Sequence, residues 1–244
     1  MEGPSVRIAA DELCHLQEQI AVSAAGNARV RMADIQGRRL ESVYSRGKQL
    51  LLDFGQFLIR VHFLMWGSYT LDVEREMSPR LELEFESETL RFYNCSVRII
   101  VHEEMGRGYD PEIDVTGDSW NRAKALDGLR GEAGEEIADA ILDQQILPGV
   151  GNIIKNEALY RAGISPLSLV GKVPDSSLES VVSECRDFSW TWYELKRRGD
   201  RLDGILKIYR KRRCPSCSSR VKRKKTGKRK RISHFCPSCQ VLHI

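Results

Sequence analysis

Apolar residues along this chain change their spacing three times. After Pro4, residues 5–24 carry them three and four apart, which predicts a helix with proline in its first turn. From residue 28 the pattern shortens. Residues 30–35, 40–45, 49–54, 57–65, 80–87 and 90–100 read as short strands, several alternating, most separated by Gly, Ser or charged turns. A β-sandwich or barrel with a helix against it is the expected first domain. Residues 106–119 crowd Gly, Pro and Asp together and read as a loop at a domain boundary. Helical spacing then returns over residues 134–146 and 152–164, and in a longer amphipathic stretch over 174–198 with Pro174 near its start and Asp175 or Ser176 as cap. The expected organisation is α+β, with an N-terminal domain over 1–110, a linker over 111–131, a helical domain over 132–204 and a cysteine-bearing module over 205–244.

Charge divides the chain more sharply than composition does. Residues 204–244 hold 14 Lys or Arg and no Asp or Glu, leaving 24 basic and 34 acidic residues in the other 203. The net +4 therefore conceals an acidic body and a basic end, the signature of a polyanion-binding segment. A solvated basic tail is the plainer alternative, and the four cysteines inside the segment speak against it. No run of 18 apolar residues exists, so no membrane span is expected, and the first residues lack an apolar signal core. The expected compartment is the cytoplasm or nucleoid of a bacterium or archaeon, or the nucleus of a eukaryote. Seven cysteines in such a chain read as reduced thiols and metal ligands.

Two local motifs carry chemistry. Cys214 and Cys217 form one C-x-x-C knuckle, Cys236 and Cys239 another, with 18 residues between the two. Four thiolates at this spacing predict a closed tetrahedral site for one structural Zn²⁺, whose binding supplies folding free energy to a module too small for its own core. Redox C-x-x-C chemistry is the alternative reading. The run between the knuckles predicts a hairpin turning at Thr226 and Gly227 with Lys and Arg on both strands, suited to phosphate and sensitive to salt. Arg231, near the second knuckle, is expected to be held more firmly than the basic tip. The second motif, Pro148-Gly-Val-Gly151-Asn152, turns tightly into a helix whose N-terminus favours phosphate, with Asn152 and Lys155 as added donors. By itself it also fits an ordinary helix hairpin.

Together with Glu2-Gly3-Pro4, the stretch over residues 142–166 and the end of the ribbon, these motifs resemble the formamidopyrimidine-DNA glycosylase and endonuclease VIII family over the whole chain. A fourth, weaker match is residues 45–54, similar to the family strand that bears a DNA-contacting lysine, here Lys48. The resemblance implies an N-terminal β-sandwich flanked by helices, a helix-two-turn-helix domain and a zinc ribbon, acting as a monomer on damaged double-stranded DNA. It implies an N-terminal amine that attacks the sugar beneath a damaged base, releases the base through an imine and then breaks the strand by elimination. Aligned on Glu-Gly-Pro, Met1 occupies the family's proline position and is the candidate nucleophile. Glu2 is the candidate acid and Lys48 a reserve nucleophile or phosphate contact. The resemblance likewise assigns Met65 as the wedge that fills the gap left by a flipped base, and Gly151, Asn152, Lys155 and Arg231 to the DNA-binding surface; Met65 also fits a core methionine on a strand.

Several departures bear on substrate. Residues 92–99 lack the Asp-Pro-Arg-Arg-Phe-Gly wedge of the guanine-specialised branch, and the connection over 198–204 is short for that branch's lesion-capping loop. Both favour the endonuclease VIII side, with oxidised pyrimidines or ring-opened and hydantoin lesions as expected substrates. Trp66 replaces a small residue, and Ser5 replaces a glutamate. Three readings therefore stand: a bifunctional glycosylase, a non-enzymatic binder of damaged or abasic DNA on the same scaffold, and a general nucleic-acid-binding zinc-ribbon protein.

Overall fold

The computed structural model describes residues 1–106 and 108–244. They form two compact units, Met1 with Ser5–Tyr109, and Glu2–Pro4 with Asp110–Ile244. Of the loop expected over 106–119, Arg107 lies outside the described residues.

In the first unit, helix α1 (Gly3–Leu13) buries Val6, Ala9, Ala10 and Leu13. It stops eleven residues short of the expected end. A 3-10 turn (Cys14–Leu16) follows, Glu18 takes a left-handed φ of 69°, and Ile20 bridges to Arg39, so extended pairing replaces the last helical turns. Six antiparallel strands follow: β1 (Ser23–Ala25), β2 (Ser42–Arg46), β3 (Gln49–Asp53), β4 (Leu58–Leu71), β5 (Leu81–Glu84) and β6 (Thr89–Ile100). They hydrogen-bond in the order β1-β5-β6-β4-β3-β2. Long strands β4 and β6 run through both halves of the sheet, and the side chains of both halves meet in one core. Leu50, Leu52, Ile59 and Val61 from one half join Leu81, Leu83, Leu90 and Phe92 from the other, with Val6 and Leu13 of α1. The expected sandwich is thus a single bonded sheet closed over a shared core. Leu51, Leu58 and Ile100 face away from it and are covered by Met105 of α2 (His102–Gly106), which explains why β3 is apolar on both faces. The strand expected over 30–35 is instead a 3-10 turn (Met32–Asp34): Ile35 is buried, but its backbone N–H bonds Met32 O within the turn.

The second unit holds α3 (Arg122–Arg130), α4 (Ile137–Ala140), α5 (Asn152–Arg161), α6 (Asp175–Arg197) and a two-stranded hairpin, β7 (Lys222–Thr226) and β8 (Arg231–Phe235). The linker expected over 111–131 is part of this unit's core. Ile113, Val115, Ala125, Leu126 and Leu129 are buried with residues of α5 and α6, and Asn121 caps α3 by accepting from Lys124 N at 3.2 Å. Gly, Pro and Asp in that stretch mark a cap and tight turns, not a tether. The helix expected over 134–146 contracts to the single turn of α4, because the Asp143 carboxylate accepts from Gln145 N at 2.9 Å and turns the chain.

The ribbon is fastened to α5 by one buried carboxylate. Glu157 is fully buried, and its oxygens accept from the backbone N–H groups of Lys207, Ile208 and Tyr209 at 2.8–2.9 Å, with Arg161 at 3.4 Å. Removing it orphans three backbone donors, that of Ile208 fully buried, and takes the carboxylate from Arg161 at once. Glu157→Ala is therefore expected to cost about 3–5 kcal/mol in urea unfolding; a loss within experimental error would contradict this role.

Candidate functional site

Within the first unit, chemistry gathers where β4 leaves its ladder. Phe63 pairs with Cys95 and Ser68 with Tyr93, so residues 64–67 stand opposite Asn94 alone. Four residues against one must bulge outward. Asn94 adopts a left-handed φ of 50°, and Gly67 folds back so closely that a Cβ there would lie 2.9 Å from Phe63 Cα and 3.0 Å from Asn94 O. The bulge lifts three consecutive apolar side chains into solvent: Leu64 at 52% exposure, Met65 and Trp66 at 79% each. Met65 is therefore not a core methionine.

The Met1 amine donates to Phe63 O at 3.2 Å and Leu64 O at 3.3 Å, which ties the start of the chain to the base of that bulge. His62, one residue before Phe63, is the functional candidate that sequence reading missed. Its Nδ1 lies 3.1 Å from Lys48 O. Burial pushes its pKa below the ordinary imidazole value, and the N-terminal ammonium, Lys48 and Arg60 push the same way. Lys48 sits with Gly47 in the two-residue turn between β2 and β3 rather than on a strand, so Met1, Lys48 and His62 share one corner of this unit. The signal for His62 was its place beside the bulge, masked by a strand-like apolar context.

Within the second unit, Glu2 caps α5. Its carboxylate accepts from Ile153 N at 2.7 Å and Ile154 N at 3.1 Å, satisfying two of the helix's unpaired donors. The glycines of the turn exist for this contact. Gly3 N donates to Gly149 O at 2.9 Å, Gly149 has φ +94°, and a Cβ on Gly151 would collide with the Glu2 carboxyl. Two of the N–H groups of the N-terminus expected to meet phosphate, those of Ile153 and Ile154, are thus taken by a side chain of the protein itself, and Gly151 makes room for it. Asn152 is half-buried; its carbonyl accepts from Asn156 Nδ2 at 2.5 Å, and its Oδ1 is buried without a partner.

Lys155 also departs from expectation. It is completely buried, and Nζ donates to Ser233 Oγ at 2.9 Å and Ile232 O at 3.3 Å, so it fastens α5 to β8 and cannot touch a phosphate. Arg231 is exposed on β8 opposite Thr226, near enough to disfavour the Lys155 charge. The hairpin tip, expected to be loose, is held by acids: Gly227 N donates to Glu136 at 2.8 Å, Arg229 N to Asp139 at 3.1 Å, Arg229 pairs with Asp143 at 2.5 Å and Lys228 with Glu135.

The four cysteines come together as expected. All four sulfurs lie within 4.8 Å of one another, with Cys214–Cys239 at 3.7 Å and Cys217–Cys236 at 3.4 Å. A tetrahedral thiolate site with metal–sulfur bonds of about 2.3 Å needs sulfurs roughly 3.8 Å apart, so the donor set fits a single metal ion.

These features match a known family in two blocks. The model of the formamidopyrimidine-DNA glycosylase N-terminal domain covers residues 2–97, and that of the same family's H2TH domain covers 118–188. The chain belongs to the formamidopyrimidine-DNA glycosylase and endonuclease VIII family. Endonuclease 8-like 3 of Homo sapiens is 28% identical over 247 residues, covering 98% of this chain and 41% of that protein. Endonuclease 8-like 2 of Homo sapiens is 36% identical over 170 residues, 68% of this chain and 48% of that protein. The chain thus spans less than half the length of either human relative. Among solved structures, a viral DNA glycosylase superposes with a TM-score of 0.87 at 24% identity, covering 99% of this chain and all of that one. Lactococcus lactis formamidopyrimidine-DNA glycosylase, non-covalently bound to DNA containing an abasic site, gives 0.85 at 22%, covering 98% and 99%. Family membership and fold are thereby shown; among the described residues no helix is long and apolar enough to cross a membrane.

Lys155 offers a sign-specific test of its buried position. Burial, and next the Arg231 guanidinium, lower its pKa from 10.5 to about 8. The folded chain binds this proton more weakly than the unfolded chain, so the penalty is present below pH 8 and relieved as pH rises toward 10.5. Relative to Lys155→Met, the unfolding free energy of the wild type is expected to climb by about 3 kcal/mol across that window. Parallel curves for the two proteins would place the lysine in solvent.

Proposed function

We propose that this chain is a DNA glycosylase of base excision repair with strand-cleaving lyase activity, acting on oxidised pyrimidines or ring-opened and hydantoin lesions. The observation that carries this reading is the Met1 amine bonded to Phe63 O and Leu64 O at the base of a bulge whose next two side chains, Met65 and Trp66, stand in solvent. A nucleophile is thereby attached to the apolar wedge that would occupy the gap of an extruded nucleotide, where unstacking costs a few kcal/mol.

An α-amino group with an ordinary pKa near 8 is roughly one-tenth neutral at pH 7, whereas an ordinary lysine is about one part in two thousand neutral. Met1 is therefore the nucleophile in preference to Lys48. Its nitrogen lone pair attacks sugar C1′, and the bond to the base breaks with the electron pair leaving on the base; the amine then loses a proton, and the C1′–O4′ bond opens with its electron pair leaving on the protonated ring oxygen as the C=N bond of the imine forms. A carboxyl on the adjacent residue, Glu2, is suited to protonating the ring oxygen and moving protons afterwards. Loss of the C2′ proton then expels the 3′ phosphate and cuts the strand. Lys48, Asn152 and Arg231 hold phosphates near the lesion, and Met65 fills the stack. When bound, Zn²⁺ at Cys214, Cys217, Cys236 and Cys239 supplies the ribbon's rigidity and no chemistry. The short 198–204 connection and the absent arginine-phenylalanine wedge support the endonuclease VIII side.

Borohydride added to protein and abasic-site duplex is expected to yield a covalent adduct whose peptide map carries the sugar on Met1. Mapping to Lys48 would transfer the nucleophile, and absence of any adduct would leave a damage-binding protein without chemistry. Glu2→Gln should keep duplex affinity within about threefold while base release falls by roughly 10²-fold or more; unchanged release would remove its assigned role. Stripping the metal with a chelator is expected to abolish duplex binding, with zinc restoring it, and indifference to chelation would argue against a ribbon clamp.

A further inference from the structure

Two groups stand out among the basic residues of the ribbon. Lys228 and Arg229 at the hairpin tip are neutralised by Glu135 and Asp143. Arg210, Lys211, Arg212, Arg220 and Arg223 line, with Val221 and His234, a half-open cavity of about 540 Å³. Among the described residues, none of these five cations has a carboxylate within 4.0 Å. Lys211 feels Asp203 at a distance, and the other four cations crowd one concavity where a bound anion would relieve their mutual repulsion. His234 is nine-tenths buried at the cavity wall, with Nδ1 lacking a hydrogen-bond partner. Its ring meets Tyr209 edge-on at 5.2 Å, and the Arg210 guanidinium lies over that tyrosine at 5.3 Å.

The ladder places this cavity on the other side of the hairpin from Arg231. Arg223 and His234 are directly paired and share one face. Arg231 pairs with Thr226 and shares its face with Ser233, and the hydroxyls of Thr226 and Ser233 bond at 2.7 Å on this face, opposite His234, where Lys155 also docks. A strand held by Arg231 therefore leaves the cavity cations unused. At about 540 Å³ the cavity admits one or two nucleotides and is far too narrow for a duplex.

We propose that this cavity is a second nucleic-acid site, which takes the phosphodiester backbone of a single DNA strand extending beyond the duplex held on the Arg231 face. The proposal rests on the functional reading above only in taking DNA as the polyanion. Tyr209, beside the cavity wall, offers an aromatic surface to a base of that strand.

The test uses the full chain with zinc bound and two probes. One is a duplex of about one helical turn containing an abasic-site analogue; the other is the same duplex with a single-stranded tail of about ten nucleotides. Fluorescence anisotropy is expected to show the tail tightening wild-type binding about tenfold, with the gain falling steeply as salt rises. Arg220→Gln/Arg223→Gln should lose that gain and flatten the salt slope for tailed DNA by about 1.4. The same variant should keep the untailed affinity, the thermal midpoint and borohydride trapping on an abasic duplex, while Arg220→Lys/Arg223→Lys retains the gain. Equal tail effects in wild type and the glutamine variant, or none in either, overturn the proposal. So does a cavity that inorganic phosphate occupies, raising the wild-type thermal midpoint but not the glutamine variant's, while the tail adds nothing. Failure of trapping with a preserved tail effect would instead refute the lyase reading and leave the second site standing.

Discussion

The carboxylate of residue 2 closes the N-terminus of a helix that begins 150 positions later. Glu2 accepts from Ile153 and Ile154, and the surrounding glycines follow from that contact: Gly151 lies beneath the carboxyl, Gly149 turns with positive φ, and Gly3 meets Gly149 backbone to backbone. A helix end presents donors that must be satisfied. Here they are satisfied by a side chain held by one peptide bond to the amine of Met1, and that amine is itself fixed by two carbonyls of β4.

Burial of charge organises the rest of the second unit. Glu157 and Lys155 lie on one helix, α5, two positions apart, and each reaches a different part of the terminal module. The carboxylate collects the amides of residues 207–209, and the ammonium reaches β8 through Ser233. Neither is tolerated in a protein interior without partners. They therefore position the module on α5 as well as stabilise it, and Arg231 stands on the strand so positioned.

Sequence made the metal knuckles legible because tetrahedral coordination is a local spacing rule, and Cys214, Cys217, Cys236 and Cys239 obey it. The long helix over 175–197 was legible from its amphipathic period. Lys155 was not, because its place on the first turn of α5 reveals its charge but not that β8 covers it. His62 escaped for the converse reason: alternation marks it as a strand residue, and only the bulge at 64–67 reveals that the strand ends its regular pairing beside the Met1 amine. The 111–131 segment was misread because residues that make caps and tight turns are the residues that make linkers. Which of the two they do depends on Ile113, Val115 and Leu129 finding a core built by helices far along the chain.

The charge asymmetry of the sequence takes on structure once partners are assigned. The acids of residues 135–143 are spent on the hairpin tip, so the most basic-looking run in the chain is partly neutralised within the protein. Surplus positive charge is left along the strands, at Lys222, Lys224, Lys225 and Arg231, and around the cavity between residues 210 and 234. Counting lysines and arginines along the chain would have drawn the polyanion to the tip. Pairing each cation with its carboxylate draws it instead to the flanks, and a flat two-stranded hairpin has two of them.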